Sequence, residues 1–151
     1  MFTNSKFARR SVVALAVVAT SFVALPAVSA NATSTTHLTV IAKGKYEGVG
    51  MGMSKGSVTA RFVLNTTKNT VCYSIASRGV SGITGVHIHT GAAGVNGGVA
   101  VALDPTKIDV SGLTCVAVDA KTVAAISANP SGYYFNAHTA KFPNGAVRGQ
   151  L

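Results

Sequence analysis

From residue 37 to the end of the chain, apolar and polar side chains alternate in short runs punctuated by turn-forming residues. A period of two is the mark of a strand with one buried face, because successive side chains point to opposite sides. The runs are 37–42 (HLTVIA), 58–64 (VTARFVL), 70–76 (TVCYSIA), 84–90 (TGVHIHT), 98–103 (GVAVAL), 113–118 (LTCVAV), 132–139 (GYYFNAHT) and 146–151 (AVRGQL). Breakers lie between them at 65–69, 79–82, Asn96-Gly97-Gly98, Asp104-Pro105, Ser111-Gly112 and Pro143-Asn144-Gly145, where hairpins need them. Residues 121–129 (KTVAAISAN) depart from the period. They are Ala-rich, place Val123 and Ile126 at i,i+3, and stop before Pro130, which predicts one or two helical turns. Residues 44–56, with Gly48, Gly50, Gly52 and Gly56, read as an irregular strand or a mobile loop. The expected fold is all-β: an antiparallel Greek-key β-sandwich of seven to nine short strands with one short helix.

The first thirty residues follow a different rule. Lys6, Arg9 and Arg10 precede an apolar run over 11–25, Pro26 ends it, and Val28-Ser29-Ala30 offers small residues for cleavage. This tripartite pattern predicts a signal peptide over 1–30 and a mature domain over 31–151, with an uncleaved anchor as the alternative. The expected location is secreted, extracellular or in the cell envelope, without membrane attachment once the leader is removed.

The whole chain carries a formal charge of +9. Beyond residue 30 there are ten Lys and Arg against Glu47, Asp104, Asp109 and Asp119, net +6, and the basic residues are scattered singly along the sequence. Nucleic-acid binding needs a clustered footprint, so no nucleic-acid partner is expected; an acidic envelope polymer or extracellular polysaccharide suits the scatter better. The four acids sit in or beside predicted turns, with no pairing suited to glycoside hydrolysis. No Gly-x-Ser-x-Gly elbow exists. Cys72 and Cys115, exported together, are expected to form one disulfide; a metal pair or two free thiols are the rival readings.

The segment Gly85-Val86-His87-Ile88-His89-Thr90-Gly91 is the most informative. On a strand, His87 and His89 share a face and can converge on one metal ion or one anionic group. His138 follows on a later strand, with Asn136 on its own face, while His37 is expected to be exposed. The same histidines read equally as a structural cluster bonded to Asn136, to hydroxyls or to carbonyls of the 91–98 turn, or as acid–base groups. Tyr133 and Phe135 are expected to enter the core, with Tyr134 covering the histidine face. Arg148, between Val147 and Gly149, reads as a surface charge or as an anion-attracting group.

The runs HIHTGAAGVNGGVAVAL (87–103) and YYFNAHTAKFPNGAVRGQL (133–151), with Cys72-Tyr73 and the later Cys115, closely resemble the CHRD domain, a module named after chordin and found in many secreted bacterial proteins. The resemblance spans roughly 37–151 and implies an extracellular module without an established reaction. Where many relatives carry a Glu-Val-Pro-like stretch, this chain has Lys45-Tyr46-Glu47-Gly48-Val49. A weaker likeness, in the order His87, His89, His138, Arg148, is to the Cu,Zn superoxide dismutase sandwich, where such histidines ligate copper and the arginine draws in the anionic substrate. Nothing here matches that family's bridging histidine or its zinc-site set.

Two expectations follow. The first is a secreted or cell-surface, non-enzymatic binding module whose partner is an extracellular protein or an envelope polymer. The alternative is a copper- or zinc-binding redox or metal-handling protein built on His87, His89 and His138, with Arg148 near the mouth of the site.

Overall fold

The alternating runs become eight strands in a computed structural model that describes residues 35–48 and 51–151. The expected leader, residues 1–30, lies outside the described residues. The strands are β1 (Thr35–Lys43), β2 (Ser57–Asn65), β3 (Thr70–Arg78), β4 (Ile83–Thr90), β5 (Val99–Leu103), β6 (Thr114–Ala117), β7 (Tyr133–Thr139) and β8 (Phe142–Gln150). Among the described residues one α-helix, α1 (Ala120–Ala128), connects β6 to β7. Its first turn is capped by the Asp119 carboxylate, which accepts from the backbone N–H groups of Lys121 and Thr122. Val123 and Ile126 are its buried residues, as their spacing implies.

The strands form one antiparallel ladder in the order β5-β4-β7-β8-β1-β2-β3-β6. Between β8 and β1 the pairing narrows to Lys43 opposite Arg148. Gly149 permits this close crossing, because a Cβ there would collide with the Val40 side chain. The ladder thus folds into two four-stranded halves that face one another across the core. The chain crosses between the halves at β3–β4, at β5–β6 and again at β6–β7, so that β3 pairs with β6 and β4 with β7. This is the expected Greek-key sandwich.

Period two decides what fills the core. Phe62 and Leu64 of β2, Val71, Tyr73 and Ile75 of β3, and Val86 and Ile88 of β4 are buried. Phe62 meets Phe135 of the opposite half with ring centroids 5.9 Å apart. The Tyr73 hydroxyl, at the margin of this apolar layer, accepts from the Asp104 backbone N–H at 2.9 Å. On the other face of β3, Cys72 lies directly opposite Cys115 of β6, and the two form a disulfide.

Two loop expectations change. Pro143-Asn144-Gly145 is not the β7–β8 turn, because the hairpin reverses at Ala140 and Lys141 and the three residues lie inside β8. Between the pairs Ala137–Val147 and Thr139–Phe142, β8 carries three more residues than β7. Pro and Gly serve this bulge, one lacking a ladder donor and the other accepting φ of +140°. The segment after β1 is neither strand nor detached loop. It starts with a 3-10 turn over Gly44–Tyr46 and returns to the sheet, where the Met53 N–H donates to the Ala146 carbonyl at 2.8 Å. Among the described residues, no helix is long and apolar enough to cross a membrane.

Candidate metal centre

On β4, Val86 and Ile88 face the core, so the alternation turns His87 and His89 to the outer face. Register supplies the third histidine. Gly85 lies opposite His138, His87 opposite Asn136 and His89 opposite Tyr134. Gly85 has no side chain to separate the rings; its Cβ would lie 3.3 Å from His87 and 3.7 Å from His138. One ring nitrogen from each of His87, His89 and His138 lies within 4.8 Å of the other two. His37 is exposed on β1 and takes no part.

Hydrogen bonds define the tautomers. His138 Nδ1 lies 2.9 Å from the Pro143 carbonyl, which the β8 bulge turns toward it. His89 Nδ1 lies 3.1 Å from the Gly97 carbonyl. A carbonyl oxygen only accepts, so both Nδ1 atoms carry protons, and in the neutral ring it is Nε2 that carries the lone pair. His138 Nε2 receives the Nδ1 proton of His87 at 3.1 Å. His89 Nε2 is buried and has no partner among the described residues. Burial, more than the neighbouring His138 and His89, lowers the His87 pKa below the usual 6.5. Burial also leads the lowering at His89, with the bond to Gly97 opposing it and His138 and Arg148 adding to it. Both imidazoles are therefore neutral at pH 7.

The C-terminal strand holds this arrangement through a loop. Arg148 is only 3% exposed; its guanidinium donates to the Ala92 carbonyl at 2.9 Å, the Val95 carbonyl at 2.8 Å and Asn96 Oδ1 at 2.9 Å. Two residues on, Gln150 Nε2 donates to the Gly91 carbonyl at 2.9 Å. Together they clamp the 91–98 loop that presents Gly97 to His89. Tyr134 stacks on His89 at 5.0 Å with 8° between the planes, and the Arg148 guanidinium lies 3.4 Å from the Tyr134 ring centroid. Arg148 does not line the cleft beside the histidines.

That cleft, of about 320 Å³, is lined by His89, His138, Tyr134, Asn136 and Glu47 among others. Glu47 is the residue that sequence reasoning passed over as a turn acid. Its Oε1 accepts from Asn136 Nδ2 at 2.5 Å, and a Cβ at Gly145 would collide with its carboxylate. Asn136 is 2% exposed, and its Oδ1 is buried without a partner among the described residues. Burial raises the Glu47 pKa to about 7 against the lowering effect of Arg148. The only signal in the sequence was an isolated acid within a glycine-rich segment.

A raised carboxyl pKa stabilises the fold while the group is protonated, below about 4.5, and that contribution is lost as pH rises toward 7. Glu47 is partly exposed, so screening reduces the effect to about 1–2 kcal/mol. Urea unfolding of the wild type and of Glu47→Gln across this interval should show the wild type losing stability relative to the variant. His87 and His89 titrate in both proteins and cancel from the comparison. Parallel curves would contradict the assignment.

No curated protein and no solved structure matches the chain. A family model described as the CHRD domain matches residues 38–151, from β1 through the arginine and glutamine that clamp the 91–98 loop. The chain belongs to the CHRD domain family.

Proposed function

We propose that this chain is an exported CHRD module that works by binding, and that His87, His89 and His138 bind a copper or zinc ion. The observation that carries the reading is His89 Nε2, buried without a partner among the described residues and beside two further imidazoles. A buried polar atom without a partner costs about 1–3 kcal/mol, which an electrophile at that position removes. Neutral imidazoles suit Cu(II) and Zn(II), and carbonyl-fixed Nδ1 protons are the usual outer support of such ligands. Metal–nitrogen bonds of about 2.0–2.1 Å place two ligand nitrogens at most about 4.2 Å apart. A set spanning 4.8 Å therefore needs side-chain shifts of an ångström or less by this estimate. His87 contributes after giving up the bond from its Nδ1 to His138, and Arg148 acts by holding the 91–98 loop. Export with cleavage after Ala30 belongs to the same reading and is read directly from the mass of the protein recovered outside the cell.

Thermal melting tests the metal reading. Cu(II) or Zn(II) at about a hundred times its Kd should stabilise the protein by about 2.7 kcal/mol, and the gain should shrink as pH falls below about 6.5. His89→Ala should show no such gain. Equal gains in both proteins would make the histidines a structural cluster.

A further inference from the structure

The scattered basic residues do not stay scattered. Lys43 and Arg78 are each paired with Ser57, one across β1–β2 and the other across β2–β3, so all three lie in one cross-strand row. Two strand spacings separate the outer pair by about 10 Å, and residues directly opposite in a ladder project from the same face. Lys45, on the 3-10 turn after β1, and Lys55, just before β2, complete a ring around a cleft of about 460 Å³. All four cationic side chains are exposed. The lining adds Ser54, Ser57 and the backbone of Gly56 and Gly79, with no carboxylate and no aromatic ring. Glu47, the acid nearest in sequence, belongs to the histidine cleft, where it is bonded to Asn136. The two clefts share no lining residue.

Four like charges around one cleft, whose lining holds no carboxylate, raise one another's potential. A multivalent anion relieves that repulsion. We propose that this cleft is a binding site for an acidic polysaccharide, whose successive carboxylate or sulfate groups bridge the Lys43–Arg78 row while its sugar hydroxyls meet Ser54, Ser57 and the open glycine backbone. Single-stranded nucleic acid is held by aromatic platforms on which bases stack; Tyr46, whose ring lies 5.0 Å from the Lys45 ammonium, lines a different pocket, and no ring lines this cleft. The inference is independent of the metal reading.

The test is binding of the purified protein to polygalacturonate and dextran sulfate, with neutral dextran, oligo-dT and anionic phospholipid vesicles as comparison arms. Lys43→Ser/Lys45→Ser/Lys55→Ser/Arg78→Ser is set against Lys68→Ser/Lys107→Ser/Lys121→Ser/Lys141→Ser, which removes the same charge elsewhere. Binding to the acidic polymers should weaken at least tenfold in the cleft variant and less than threefold in the control. By analogy with counterion release from single strands, the wild-type slope of log K against log salt should be about −3 for four contacts. If the cleft variant does not melt cooperatively, Lys45→Ser/Lys55→Ser replaces it, with an expected loss of threefold or more; if the control does not, Lys68→Ser/Lys141→Ser replaces it, with an expected loss below threefold. Equal losses in both quadruple variants would reduce the effect to net charge and overturn the proposal. So would tighter binding of oligo-dT or vesicles than of the polymers, or no binding to the acidic polymers at all.

Discussion

Replacing Cys72 and Cys115 together by Ser is expected to lower the free energy of unfolding by about 3–4 kcal/mol. The bond closes a loop of 43 residues between directly opposed positions of β3 and β6. Chain entropy alone assigns a loop of that length about 4 kcal/mol, and native disulfides in small exported domains contribute about 2–5 kcal/mol. The local reason is the weakness of what it fastens. β6 has four residues and lies at the end of the ladder, with β3 as its sole strand neighbour among the described residues. The chain then runs into α1, whose Val123 and Ile126 help fill the core. Without the bond, a short edge strand must hold this corner by pairing alone. For a domain of this size the loss corresponds to a fall in Tm of roughly 10–20 °C. A double variant melting within about 3 °C of the oxidised protein would contradict it.

The second large effect belongs to Arg148. Arg148→Ala removes three charge-assisted hydrogen bonds and the stack on Tyr134, and leaves a void at a position only 3% exposed. Hydrogen bonds from charged donors contribute about 1.5–3 kcal/mol each, but the freed carbonyls lie on an exposed loop that water can reach. The expected net cost is about 2–4 kcal/mol. The consequence for the site separates positioning from simple packing. Once the 91–98 loop is released, Gly97 no longer fixes the His89 tautomer, so metal affinity should fall about 10–100-fold, as it does when other outer hydrogen bonds to ligand histidines are removed. Arg148→Lys, which keeps the charge but not the fork of donors, should lie between the wild type and the Ala variant in both readouts. A variant that loses stability yet binds metal as the wild type does would make Arg148 a fold residue with no bearing on the site.

How much of this was legible depended on whether the signal was local. Val71, Tyr73 and Ile75 alternate with Cys72 and Ser74, so period two alone sorted core from surface on β3. The same rule placed His87 and His89 on one face, and Phe135 in the core. At Pro143-Asn144-Gly145 the rule for turns misled, because residues that end a ladder serve a bulge within a strand equally well. That bulge matters, since it carries the carbonyl that orients His138. Glu47 and Asn136 are 89 residues apart, and nothing in either neighbourhood announces their hydrogen bond. Lys43, Lys55 and Arg78 likewise come together only once strand register is known. Arg148 looked like a surface charge because neighbours at i−1 and i+1 say nothing about a loop 53 residues earlier.

The central claim is that His87, His89 and His138 form a ligand set. Calorimetric titration of the purified protein with Cu(II) at neutral pH, beside the His87→Ala/His89→Ala variant, tests it most directly. The account predicts one ion per chain in the wild type and loss of that binding in the variant, which still melts cooperatively in metal-free buffer. Equal stoichiometry and affinity in the two proteins would contradict it.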